Sequence, residues 1–114
     1  EYTIFFDDEQ ARRLLYPVLK NVSYTRWHPY FLDIVPEGLS KSYGAARILE
    51  RIGVTREECM AFGDGGNDIP IIEYAGIGVA MGNATDDVKA AADYVTDTVD
   101  EDGVVTALQR FGVL

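Results

Sequence analysis

An α/β fold with a parallel sheet in its second part is predicted for this chain of 114 residues, on three observations. From about residue 37 onward, short apolar runs alternate with amphipathic helical stretches, a rhythm that implies parallel strands joined by crossover helices. The first 36 residues break that rhythm: two apolar or alternating runs flank His28-Pro29, as in an antiparallel pair joined by a tight turn. Third, the apolar run Cys59 to Phe62 ends in FGDGGNDIP, residues 62 to 70, where two carboxylates, an amide and glycines crowd one strand end.

The elements follow in order. Tyr2 to Phe6 is a predicted strand, and because the chain starts at Glu1 and enters a strand at once, it is expected to be a piece of a longer protein. DDEQARRLLYPVL carries acids at its front and Ala11, Leu14, Leu15 and Val18 at helical spacing, with Pro17 near its end, which predicts one short amphipathic helix. VSYTRW and YFLDIV are the antiparallel pair. Past Pro36, Ser40 is placed to cap a helix with an apolar stripe of Ala45, Ile48, Leu49 and Ile52, closed by Gly53.

The Cys59–Phe62 strand comes next, then a helix from about Asp68 to Tyr74 with Asn67 as its cap and Pro70 in its first turn. IGVAM is a strand. Thr85 is the expected cap of a helix that has Asp86 and Asp87 in its first turn and Val88, Ala91 and Ala92 on one face. DYVT is the last strand, and Val104, Leu108 and Phe111 mark a final helix after Asp102-Gly103.

Composition narrows the function. Hydrophobic residues at 47% support a globular fold, and this length supports one modest core. A net charge of −9 and a pI of about 4.4 disfavour nucleic acid and anionic membranes as partners. Cys59 is the one cysteine, so no intrachain disulfide is expected; it is taken as a small strand hydrophobe, and the compartment as reducing and cytoplasmic. No apolar run approaches the ~20 residues of a membrane span.

In open α/β sheets ligands bind beyond the carboxyl ends of the strands, where helix N-termini favour anions. Asp64 and Asp68 at such a place call for a counter-charge, and a divalent cation such as Mg²⁺ would supply it and hold phosphate, since Mg²⁺ usually takes one or two carboxylates plus substrate phosphate. Alone, either Asp is an ordinary turn or cap residue; their crowding with Gly65, Gly66 and Asn67 points to a site. Lys41 stands in the first turn of a helix, where the dipole opposes a cation, so a nearby phosphate or carboxylate would explain it.

Other candidates have plainer explanations. His28 lies in a turn, the run Asp100-Glu101-Asp102 starts a helix, and Arg26 and Trp27 could touch a substrate but are taken as packing residues. Asp7 ends an apolar strand as a phosphoryl acceptor would, yet it runs straight into a helix with no glycine-permitted turn.

GDGGND, followed by AGIGVAMGNATDDVKAAADYVT and DEDGV, resembles the C-terminal part of the Cof-type phosphatases of the haloacid dehalogenase superfamily, over roughly residues 30 to 114. The resemblance implies that residues 37–114 are the C-terminal half of a Rossmann-like parallel sheet with helices on both faces, and residues 1–36 the α+β end of an inserted cap that shapes substrate choice. It implies catalytic roles for Lys41, Asp64 and Asp68, with Asp64 a direct Mg²⁺ ligand, Asp68 the second acid of the metal site, often acting through water, and Lys41 and Asn67 on the phosphate. Ser42 stands where the family commonly has glycine.

The implied activity is Mg²⁺-dependent hydrolysis of small phosphomonoesters, sugar phosphates foremost, through an aspartyl-phosphate. The family's Asp-x-Asp-Gly-Thr nucleophile loop and its Ser/Thr motif are absent from these residues. Half a site is therefore expected, inactive alone and partnered by the missing N-terminal part of the same protein and by a phosphorylated metabolite. The loop with Pro70 is also similar to the phosphorylation domain of P-type cation ATPases, although DEDGVVTALQRFGVL leads into a short amphipathic helix instead of membrane helices. A non-catalytic phosphate- or metal-binding remnant is the third reading.

Overall fold

The structure, a computed structural model, describes residues 2–114 except the Trp27 side chain, so the expectation for that side chain lies outside the described residues. The first sheet is built from β1 (Tyr2–Ile4), β2 (Val22–His28) and β3 (Phe31–Pro36), with helix α1 (Asp8–Leu14) between β1 and β2. Its order is β1-β3-β2 and both pairings are antiparallel. Pro29 and Tyr30 make the turn between β2 and β3, as the sequence pattern predicts. Leu32 and Ile34 on β3 are buried, together with Ala11 of α1.

β1 is shorter than expected and stops at Ile4. The chain leaves the sheet there so that Asp7 can cap α1: its carboxylate accepts from the Gln10 N–H at 2.8 Å, and the Gln10 side chain returns a bond to the Asp7 N–H. α1 is also shorter, ending at Leu14, because the residue before Pro17 is pushed out of helical backbone and Pro17 has no N–H to donate. Val18 consequently lies outside the helix and is 72% exposed.

The second sheet is parallel, in the order β4-β5-β6: β4 (Met60–Gly63), β5 (Ile77–Ala80) and β6 (Tyr94–Val95). Helix α2 (Lys41–Ile52) precedes it, α3 (Ile69–Tyr74) links β4 to β5, α4 (Asp86–Ala91) links β5 to β6, and α5 (Gly103–Arg110) follows. The predicted α/β architecture with a helix-flanked parallel sheet is the observed one. Ser40 caps α2 by accepting from the Tyr43 N–H, and Gly53 ends it at φ 72°, a left-handed conformation that glycine adopts without strain. Ile72, Ala80, Ala84 and Val88 form the core of this part, with Ile69 and Ala92 against it.

Two helical stripes differ from expectation. On α2, Ile48 and Ile52 are more than half exposed and no residue is buried, while on α5 the buried positions are Gly103 and Ala107, not Val104 or Phe111. Periodicity marks an apolar face, but burial also needs something to cover it, and among the described residues nothing buries these positions. The Cα radius of gyration of 16.0 Å, against about 13 Å for a compact domain of this length, reflects two sheets side by side instead of one shared core.

Candidate active site

β4 ends at Gly63, and the chain then turns through Asp64 and Gly65 into a 3₁₀ turn, Gly66–Asp68, that runs on into α3. The turn folds back hard against the strand: a Cβ on Gly63 would lie 2.4 Å from the Asp68 Cβ, so only glycine fits. Asp68 is buried beneath it. One of its carboxylate oxygens accepts from the backbone N–H groups of Asp64 and Gly65 at 3.1 and 3.2 Å. The other accepts from the Lys41 ammonium, delivered by the first residue of α2.

Burial is the largest influence on the Asp68 carboxyl and by itself would raise its pKa. The Lys41 bond and the two amide bonds together outweigh it, and hold the group below its ordinary value of 3.8. Asp68 is thus charged, and both of its oxygens are engaged. Asp64 differs. It is exposed, and its neighbour among the described residues is the Asn83 amide, 3.5 Å from Oδ2, while Asn83 Oδ1 accepts from the Val99 N–H at 3.0 Å.

Asn67 is not the cap expected of it. It lies inside the 3₁₀ turn, and Asp68 occupies the N-cap position of α3. The reason is the tight turn: with the Asp68 N–H donating to Gly65 O at 2.8 Å, the first regular α-helical residue is postponed to Ile69. Thr85 holds the N-cap position of α4, but its hydroxyl donates to the Asp87 carboxylate instead of capping the helix backbone.

A cavity of about 570 Å³ opens over this loop, and Lys41, Asp64, Asn67 and Asp68 all line it. The four residues singled out in the sequence therefore converge. Besides Gly65 and Gly66 of the loop itself, three further residues share the cavity: Thr85, Asp87 and Arg26. The first two were legible only as helix-start residues. Arg26, taken from sequence as packing, reaches the cavity because β2 of the first sheet lies against the 3₁₀ turn.

Asp7, His28 and the run Asp100-Glu101-Asp102, also set aside from sequence, do not line the cavity. Asp7 is committed to capping α1, Glu101 accepts from the Thr98 hydroxyl at 2.7 Å, and His28 stacks on Phe31 with ring centroids 4.7 Å apart. Among the described residues no three His, Cys, Asp or Glu side chains come together as a metal cluster, and no helix is long and apolar enough to cross a membrane. The hard carboxylate of Asp64 suits Mg²⁺ as one ligand, with Asp68 behind it; substrate phosphate would supply further oxygens.

The family described as haloacid dehalogenase-like hydrolase matches residues 2–108. The 5-amino-6-(5-phospho-D-ribitylamino)uracil phosphatase YcsE of Bacillus subtilis is 42% identical over 107 residues, 92% of this chain and 43% of YcsE. A solved phosphatase of the haloalkanoate superfamily from Bacteroides thetaiotaomicron is 48% identical with a TM-score of 0.89, covering 98% of this chain and 41% of its own. A solved subclass IIB sugar phosphatase is 46% identical with a TM-score of 0.89, covering 98% of this chain and 43% of its own. The chain spans about two fifths of the length of each of these three relatives.

Proposed function

This chain belongs to the haloacid dehalogenase-like hydrolases, and from that membership and the loop geometry we propose that it supplies the metal- and phosphate-binding half of a phosphatase site in a longer protein. The substrates are small phosphomonoesters, sugar phosphates foremost, and the cofactor is Mg²⁺. A sugar phosphatase among the solved relatives supports the substrate class. The observation that carries the reading is the convergence of the Lys41 ammonium, the Asp64 and Asp68 carboxylates and Asn67 on one cavity.

The residues divide the work by how they are held. Asp68, with both oxygens engaged, fixes the loop and aims Lys41. Lys41 has three N–H donors and spends one on Asp68, leaving two for phosphate oxygens. Asp64, exposed and met by the Asn83 amide only at 3.5 Å among the described residues, is the ligand available to the cation, and Asn67 orients the phosphate or Lys41. Mg²⁺, when bound, neutralises charge on the phosphoryl oxygens.

The nucleophilic aspartate belongs, in this reading, to the part of the protein N-terminal to these residues. The same part covers the exposed Ile48 and Ile52 face of α2 and adds to the open side of β4, which pairs only with β5 among the described residues. The 114 residues alone are then inactive. The test compares Asp64→Asn with Asp7→Asn in the full-length protein, reading turnover of a sugar phosphate against Mg²⁺ concentration. Loss of activity and weakened Mg²⁺ dependence in the first variant only is expected; equal activity in both overturns the assignment.

A further inference from the structure

Arg26 sits in an irregularity of the first sheet. Thr25 pairs with Asp33 and His28 with Phe31, so Arg26 and Trp27 together oppose the single residue Leu32. Such a bulge adds twist and re-aims the side chains within it, and bulges are frequent beside active sites. Here it turns Arg26 to the wall of the cavity that holds Lys41, Asp64 and Asp68.

The guanidinium is held from several sides. Nη1 donates to the carbonyls of Phe6 at 2.9 Å, Pro29 at 2.8 Å and Phe31 at 3.3 Å, and Nε pairs with the Asp8 carboxylate at 3.1 Å. Nη2 is buried and finds no hydrogen-bond partner among the described residues. Buried donors are rarely left without an acceptor, and those that are call for an explanation. A rigid fork with unspent N–H groups, at the rim of a phosphate-binding cavity, is a donor prepared for a ligand.

We propose that Arg26 is a specificity residue that donates to an uncharged oxygen, hydroxyl or carbonyl, on the organic part of the phosphomonoester. The proposal rests on the reading of the cavity as a phosphatase site and deepens it. The charge balance decides against a second anionic group. Asp8 already compensates the guanidinium and Asp68 compensates Lys41, so Asp64 and Asp87 leave the same cavity negative, and the cation there is met by the reacting phosphate. An additional phosphate or carboxylate on the substrate would meet net negative charge, whereas a sugar hydroxyl meets only a donor. Arg26 thus selects polyol and sugar monophosphates over bisphosphates.

The test uses the full-length protein and three probes: the best hydrolysed of a panel of hexose and pentose monophosphates, phenyl phosphate, which offers no hydroxyl, and fructose 1,6-bisphosphate. Arg26→Met keeps the aliphatic stem and is expected to lower the ratio of kcat/KM for the sugar phosphate over phenyl phosphate by about tenfold, mainly through KM. An unchanged ratio overturns the proposal, including the case in which both substrates suffer together, the mark of a residue that only props the hairpin.

Should Arg26→Met not fold, Asp8→Asn decides. Asp8 is largely exposed, and its neutralisation leaves the Arg26 charge uncompensated. Preference is then expected to move toward the bisphosphate relative to the monophosphate, and no movement overturns the proposal. Turnover of phenyl phosphate without that of any sugar phosphate also overturns it. Failure of the underlying reading looks different: the unsubstituted protein hydrolyses neither monoester.

Discussion

Lys41 and Asp68 are 27 residues apart in the chain, yet the ammonium of one and the carboxylate of the other form an ion pair between the start of α2 and the turn that begins α3. Asp68 is buried and Lys41 half exposed, so the pair has a fixed base and an open tip. A lysine in a first helical turn works against the helix dipole. Its partner explains it. Lys41→Ala in the full-length protein is expected to cost ~1.5–3 kcal/mol of transition-state stabilisation, the usual worth of a hydrogen bond to a charged group, which is roughly a 10- to 150-fold loss in kcat/KM. A change of less than twofold would show that Lys41 is an ordinary surface lysine.

Gly63 is expected to tolerate no side chain. The Cβ of Gly63→Ala would fall 2.4 Å from the Asp68 Cβ and 2.9 Å from its Cγ, so the Asp68 carboxylate must move away from Lys41 and from the Asp64 and Gly65 amides. The midpoint of thermal unfolding and the activity should fall together. Gly44→Ala makes the control: nothing lies within 4 Å of a Cβ there, and Gly44 lies within α2, where alanine is about 1 kcal/mol the better helix former.

Asp87 offers a pH test. The Thr85 hydroxyl, as the largest cause, and the Val88 backbone hold its carboxyl below the ordinary value of 3.8. Because the folded value is lowered, the associated stability is present above the ordinary value and is lost as pH falls through the folded one. In Thr85→Val the NMR titration midpoint of Asp87 is expected to rise toward 3.8. An unmoved midpoint would mean that the hydroxyl contact is not kept in solution.

Ile48 and Ile52 separate the chain alone from the longer protein. Both are more than half exposed in these 114 residues. Ile48→Ser with Ile52→Ser should make the isolated chain more soluble, while in the full-length protein the same pair should lower the unfolding midpoint, since a buried apolar side chain is worth about 1.5–3 kcal/mol. Equal behaviour in the two contexts would show that no other part of the protein covers this face of α2.

Ser40 and Gly53 were legible as residues because what they do is local. A cap accepts from an N–H three positions on, and a left-handed glycine ends its own helix, so neighbours along the chain suffice. The alternation of apolar runs, equally local, carried the α/β class and the place of the polar loop at a strand end. Where local signals competed, the boundaries moved: Asn67 looked like a cap, but the turn closing on Gly65 shifted the helix start past it.

What the sequence by itself determined is therefore the set of elements and the chemical character of the loop around Asp64 and Asp68. Tertiary structure alone decided how those groups are held and which others join them. That Asp68 spends both oxygens while Asp64 stays open depends on Lys41 arriving from α2, and that Arg26 joins the cavity depends on a bulge in another sheet and on how that sheet lies against the turn. The exposed stripe of α2 is the same lesson in reverse. Periodicity along a helix specifies a face, but the burial of that face is a property of whatever packs on it, and no pattern within the helix encodes that.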